Sequence, residues 1–432
     1  MPTDAPGDPT RGLAADPTAD PTADPTADPT ADPPDRPLPD GLVLRIARPG
    51  DLDQIGDLLA RRGDPADALD HRLVVEDPDE GWRSSAVVVD GDRVVSTATL
   101  LDETLRLGDV VLPAGQVELV ATEHGYEGRG LVRALMGWAH AESARRGHLV
   151  QEMVGIPYFY RLFGYEYAIG QPRGRRLTGV PVGGRGDAVR PATAADIPAL
   201  AALQDAAQAA FDLAVPHPAA RWRWLVAHEA TRTLVVEREG RVVGSGRISP
   251  GSGLVAEATA QDAAAVADLL DAVARQSESG RVGVVERPGT LVHALCEPLM
   301  EPAGDRAEQY YVRVGDHAAV LDALRPVLSA RLAAAGLERD EVLLSTYRRH
   351  YRFPVGPEGL GAAVVGGPMQ DPVENGGAGV APDWLPALLF GPWGIEGLER
   401  LRPDVTAAAD EELFHALFPP VRADVLSYYL PF

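Results

Sequence analysis

One stretch limits what this chain can become more than any other. Residues 117–165 read VELVATEHGYEGRGLVRALMGWAHAESARRGHLVQEMVGIPYFYRLFGY. Val117-Glu118-Leu119-Val120-Ala121 is an apolar run of strand length. A turn with Gly125, Gly128 and Gly130 follows. Leu131, Ala134, Leu135, Trp138 and Ala141 then recur at helical spacing until Gly147 stops the pattern. A strand, a glycine loop and a helix start together make an anion site. The first helical N–H groups have no partner inside the helix, and the helix dipole favours negative charge there. Glycine lets backbone approach a phosphate closely.

Composition narrows the partners. The net charge is −23, which argues against nucleic acid and suits a cationic acceptor such as an amine. One cysteine, Cys296, rules out a disulfide framework and a cysteine-rich metal site. His217, His228, His293, His317, His350 and His415 are scattered without metal-ligand spacing, so no metal is expected. No apolar run reaches membrane length, and no basic-then-apolar leader opens the chain. The expectation is a cytoplasmic protein without a membrane partner.

Residues 1–40 repeat Ala-Asp-Pro-Thr and are expected to be a disordered acidic arm, since proline every fourth residue forbids helix. Folding is expected to begin near Leu42. Leu42-Val43-Leu44-Arg45-Ile46 reads as a strand. Asp51 is a candidate N-cap before a helix carrying Leu52, Ile55, Leu58 and Leu59. Asp90-Gly91-Asp92 between apolar runs predicts a hairpin, and 105–112 predicts a further strand.

The stretch 127–132, Glu-Gly-Arg-Gly-Leu-Val, resembles the (Gln/Arg)-x-x-Gly-x-(Gly/Ala) loop of the GNAT N-acetyltransferases. Phe159-Tyr160-Arg161-Leu162-Phe163-Gly164-Tyr165 resembles their Tyr-x-x-Phe-Gly-(Phe/Tyr) signature, at the expected separation. Glu127 departs from the pattern by placing an acid beside an anion, and Val132 replaces a small residue. Arg129 and Arg133 are candidates for the missing positive charge. The resemblance implies acetyl-CoA as co-substrate. Its pyrophosphate would lie on amides of Gly128, Arg129, Gly130, Leu131, Val132 and Arg133, and its thioester arm on Val120, Ala121 and Thr122. The resemblance also implies Tyr160 as general acid, a phenol being protonated at neutral pH.

The opening pattern returns later. Arg48-Pro49 before a helix has an apparent counterpart in Arg190-Pro191, and Glu239-Gly240 looks like the same hairpin turn. There Ala258-Thr259-Ala260-Gln261-Asp262 replaces the glycine loop, which leaves a phosphate no cradle. From Gln309 the texture changes again, with a strand at 310–314 and a helix interrupted near Pro326. The order resembles the Eis type of GNAT protein. The expected class is α/β (α+β): an arm at 1–40, a catalytic GNAT domain at 41–180, a degenerate GNAT-like domain at 181–308 and a sterol-carrier-protein-like domain at 309–432. By resemblance the chain forms a homo-oligomer, a hexamer.

The same resemblance implies that the C-terminal carboxylate, on Phe432, takes the proton of the amine; Glu118, Glu123, His124 and water are rivals. Trp82 is a candidate wall of the acceptor pocket, and Trp222 and Trp224 are expected to pack between domains. The acceptor is an aminoglycoside, polyamine or lysine-like small molecule. A non-catalytic ligand-binding or regulatory protein on the same scaffold is the alternative.

Overall fold

The computed structural model describes residues 35–249, 251–302 and 309–426. The arm at 1–34 and Phe432 lie outside them. The class is mixed α/β, built on three sheets of ten, six and six strands.

The main path of the first sheet runs Arg36–Pro37, Val43–Ile46, Ser85–Asp90, Arg93–Leu107, Val110–Thr122, Val150–Met153, Gln309–Val314 and Glu166–Gly170. The Asp-Gly-Asp hairpin forms as expected, with Asp90 opposite Arg93. Residues 105–112 are not one strand. Gly108 (φ 57°) and Asp109 form a second hairpin turn, joining two long strands that pair from Ser96–Thr122 to Leu107–Val110. A left-handed φ at that turn is available to glycine without strain.

Helix Leu131–Arg145 packs Leu131, Leu135, Met136, Trp138 and Ala139 on one face of this sheet, against Ala98, Leu100 and Val117. Helices Leu52–Arg62 and Asp67–Val75 cover the other face; Ile55, Leu58 and Leu59 meet Val87 and Val94, and Val74 meets Leu101. Trp222 and Trp224, on helix Ala219–Ala227, join that second cluster, so they sit between the first and second sheets.

Strand pairing crosses the boundaries expected from sequence. Gln309–Val314, expected to open the last domain, is inserted antiparallel between Val150–Met153 and Glu166–Gly170 of the first sheet. Gly174–Arg176, expected to end the first domain, pairs with Gly283–Val285 in the second sheet. Ala423–Asp424 joins the first sheet through Leu213–Ala214.

The second sheet repeats local devices of the first. Arg45 makes a two-pronged ion pair with Asp51 (2.7 and 2.8 Å), whose carboxylate also accepts from the Arg48 amide. Arg190 does the same with Asp196 (2.8 and 2.9 Å), which accepts from the Thr193 amide. The structural counterpart of Arg190 is therefore Arg45, not Arg48; the Arg-Pro match read from sequence is three residues out of register. The match misled because Arg-Pro is merely common before helices, whereas the six-residue Arg-to-Asp spacing has a mechanical role in closing the strand-to-helix turn. Asp51 caps that turn rather than a helix amide. Leu119 (φ 53°) and Glu257 (φ 50°) mark matching bulges in the two sheets.

The third sheet has a path from Gly359–Leu360 through His350–Gly356, Glu341–Ser345 and Ala378–Val380 to Val405–Thr406. The expected break near Pro326 falls between helices His317–Ala323 and Arg325–Ala335. No helix among the described residues is long and apolar enough to cross a membrane.

Candidate acetyl-CoA site

The site begins where two strands part. Val110–Thr122 and Val150–Met153 pair in parallel only at Ala114–Val150, Gly115–Gln151 and Gln116–Glu152. Beyond Gln116 they separate, and the bulge falls just there. Thr99 lies opposite Glu118 and Thr97 opposite Ala121, so Leu119 and Val120 occupy the irregular step. A positive φ at leucine costs energy, and such strain is held at functional positions by the surrounding fold. The bulge breaks strand alternation: Val117 and Val120 pack toward helix Leu131–Arg145, while Leu119 turns to the cluster of Ile55, Leu58 and Ala121. Glu118 follows Thr99 and Leu101 to the same far side. Trp82 packs against that cluster, as Leu119 does. Thr122 Oγ1 is fixed by Ser96 Oγ at 2.7 Å.

The glycine loop leads from this strand to the helix. Gly128 (φ 76°) and Gly130 (φ 78°) both adopt left-handed backbone, which side chains resist. The first bond after the loop is Ala134 N to Gly130 O at 3.0 Å. Amides of Gly128, Arg129, Gly130, Leu131, Val132 and Arg133 donate to nothing among the described residues. Six free N–H groups at a helix start are the donors a diphosphate needs, and most of the Gly128 to Arg133 segment is exposed. The chain's own residues therefore fit the acyl donor that the fold implies.

The two arginines expected to add charge are held on rings. The Arg129 guanidinium lies 4.8 Å from the Tyr126 ring centre and donates to Gly125 O (3.2 Å). Arg133 lies 5.3 Å from the Phe163 ring centre. Glu127 is not a bare acid: its carboxylate accepts from Arg62 at 2.5 Å.

Tyr160 sits in the short helix Phe159–Phe163 and is 6% exposed. Phe159, Tyr165 and Tyr311 surround its ring at 5.2, 6.4 and 5.9 Å between centres. Burial, helped by the negative charge of Glu118, pushes its hydroxyl up to about 12. Gly155 makes room: a Cβ there would overlap the Tyr160 ring. Tyr158 holds a strained φ of 71°, and its amide donates to the Tyr167 hydroxyl (3.2 Å). Tyr167 in turn stacks on Tyr311. Tyr311 enters the site only because its strand is inserted in the first sheet. Sequence order gave no sign of that contribution.

The rival bases separate. Glu118 is partly exposed, and Gln116 Nε2 donates to its Oε1. Removal from water, reinforced by Asp67 and Asp70, pushes its carboxyl up to about 7, against the opposing pull of Gln116 and Arg221. Glu123 is tied to Arg61, a bond that holds its carboxyl below the usual range. His124 is exposed and contacts Arg62. Among the described residues no group of His, Cys, Asp or Glu could hold a metal ion.

Comparison with known proteins agrees with this geometry. Residues 47–168 match the model of the acetyltransferase (GNAT) domain. Over that part of the chain the sequence is similar to a GNAT acetyltransferase domain. Among solved structures, a GCN5-related N-acetyltransferase from Kribbella flavida is similar at 20% identity and a TM-score of 0.61, over 88% of this chain and 98% of that one. A GCN5-related N-acetyltransferase from Anabaena variabilis is similar at 15% identity and 0.63, over 87% and 96%. Eis1 from Mycobacterium abscessus is similar at 17% identity and 0.55, over 89% and 98%. The likeness is one of fold and spans nearly the whole of each chain. A search of curated proteins finds no match.

Proposed function

We propose that this chain is an acetyl-CoA-dependent N-acetyltransferase acting on a primary amine of a small molecule: an aminoglycoside, a polyamine or a lysine-like acceptor. The observation that carries the reading is the run of free amides from Gly128 to Arg133, set beside strands that part at Gln116 and a buried Tyr160 hydroxyl. When bound, acetyl-CoA supplies an activated acetyl thioester. The amides hold its diphosphate, and Val120, Ala121 and Thr122 line the opening for the thioester arm. Tyr160 would donate a hydrogen bond to the sulfur as the amine nitrogen bonds the acetyl carbon, the carbon–sulfur bond breaks and negative charge develops on sulfur.

In full, the proposal reads residues 41–180 as the catalytic domain and 181–308 as a GNAT-like domain that has lost its cofactor loop. The shared Arg-to-Asp clasp and bulge support this. In the second sheet the helix start is closed by its own cap, Asp262 accepting from Ala265 N at 2.9 Å. Residues 309–432 are read as sterol-carrier-like and the protein as a homo-oligomer by resemblance, and as cytoplasmic from the sequence pattern.

Calorimetry of the full chain with acetyl-CoA tests the reading. Binding is expected, and Gly130→Glu is expected to abolish it, because the new side chain strains a left-handed position and puts a carboxylate on the cradle. Unchanged affinity in that variant would refute the site. Thiol release with a panel of amines then separates an enzyme from a regulatory scaffold.

For the base, the Phe432 carboxylate is the first reading, and a specific observation favours Glu118 as the second. A carboxyl held near neutrality is well matched to accept an ammonium proton at physiological pH. If Glu118 is the base it must be ionised, so kcat/KM rises as pH increases through about 7 and this limb vanishes in Glu118→Gln. If Phe432 is the base, deleting it abolishes turnover and the limb survives in Glu118→Gln.

A further inference from the structure

We propose that Arg62 is a phosphate-binding residue for the acyl donor and that Glu127 is the residue that positions it. This rests on the acetyl-CoA reading above. Glu127 stands at the first position of the glycine loop, where a negative charge faces the anion the amides would hold. In the fold it is clasped from outside the loop. Arg62, the last residue of helix Leu52–Arg62, places Nη2 2.5 Å from Glu127 Oε1 and Nη1 2.5 Å from His124 Nε2. A guanidinium carries five N–H donors in a rigid fork, so donors are left for a phosphate after these contacts.

The neighbourhood repeats the device. Arg61 is held by Glu123 at 2.5 Å, and Arg93 reaches the same carboxylate at 3.5 Å. Arg93 also lies 5.8 Å from the Tyr126 ring centre, which Arg129 approaches too, and the Tyr126 hydroxyl donates to Asp90 at 2.6 Å. Four guanidiniums, those of Arg61, Arg62, Arg93 and Arg129, therefore gather around three carboxylates, Asp90, Glu123 and Glu127. In a chain with a net charge of −23 this is a local reversal of sign.

The Arg62–Glu127 pair is solvent-accessible, with side chains 26% and 50% exposed. A pair of that kind adds little to stability. What it does is fix a mobile cation at the loop, so that less rotamer freedom is lost when an anion arrives. The loop position that is Gln or Arg in the resembling motif is thus served by a cation from the first helix.

The two roles open to Glu127 predict opposite signs. If it positions Arg62, removing it weakens donor binding; if it merely repels the donor, removing it tightens binding. Calorimetry with acetyl-CoA on the full chain, at low and high salt, decides between them. Arg62→Ala is expected to raise Kd about tenfold or more, as loss of one charge-assisted phosphate contact does, and to flatten the salt dependence. Glu127→Ala is expected to raise Kd, and the double variant to bind no worse than Arg62→Ala alone. Dephospho-CoA, run in parallel, tells whether the 3′-phosphate or the diphosphate is the one touched: the Arg62→Ala loss persists with it only for the diphosphate. An unchanged Kd in Arg62→Ala, or tighter binding in Glu127→Ala, overturns the proposal while wild type still binds. If wild type itself does not bind acetyl-CoA, the reading of the site falls first and this inference with it.

Discussion

Tyr160→Phe is expected to lower kcat by about 10²- to 10⁴-fold, the usual range for a positioned proton donor, with little change in acetyl-CoA affinity. The substitution keeps every ring contact with Phe159, Tyr165 and Tyr311 and removes only the hydroxyl. A large loss in kcat with an unchanged melting temperature is therefore a chemical effect. The hydroxyl is pushed up to about 12, so it stays protonated across any working pH. It is then a weaker acid than an ordinary thiol, near ~8.5. Full transfer to a free thiolate is uphill, and the hydroxyl acts chiefly by donating a hydrogen bond as charge grows on sulfur. The expected signature is a wild-type kcat with no alkaline fall below pH 10. Steady-state kinetics of the variant at saturating acetyl-CoA check the prediction; a loss under about threefold would remove the hydroxyl from the chemistry.

Arg221→Ala is expected to destabilise the protein by about 3–5 kcal/mol, the cost of leaving buried charge without its partner. Arg221 is 1% exposed and joins helix Ala219–Ala227 to the first sheet. Its Nε donates to Glu103 at 2.7 Å and its Nη2 to Glu80 at 3.3 Å, both carboxylates being buried. Removal from water already raises the Glu80 carboxyl, with Arg221 opposing that rise. Without the guanidinium the carboxyl rises further. An acid raised in the folded state takes up a proton as pH falls, which relieves its burial. The deficit of the variant should therefore shrink toward acid pH and grow toward alkaline pH. Denaturant unfolding at pH 5 and pH 8 measures this. A flat deficit would mean that lost packing over the Trp224 ring, 5.2 Å from the guanidinium, is the larger cause.

What could be read in the sequence was what lies close together in it. The loop and helix at 125–145 were legible because glycine spacing and helical periodicity are local signals. The hairpin at Asp90 was legible for the same reason. The bulge at Leu119 was not, since nothing in an apolar run marks which residue will take a positive φ. Its effect was to turn Leu119 to the same face as Glu118, whose own side ordinary alternation from Val117 already set. Arg62 was missed because its partner lies 65 positions away and arginine at a helix end is ordinary. The second sheet was legible as a repeat but misaligned by three residues, since Arg-Pro outweighed the Arg-to-Asp spacing that actually closes the turn.

The strand Gln309–Val314 has a consequence for how the chain comes into being. A ribosome delivers Val150–Met153 and Glu166–Gly170 well before the segment that belongs between them. Until it arrives, two neighbouring strands face each other across a vacant lane, with backbone groups open to any passing chain. Tyr311 comes with that late segment, so the N-terminal half cannot be cut out and kept whole. A fragment ending before Gln309 would carry the glycine loop intact and yet be a poor surrogate for the enzyme, prone to clump rather than to bind.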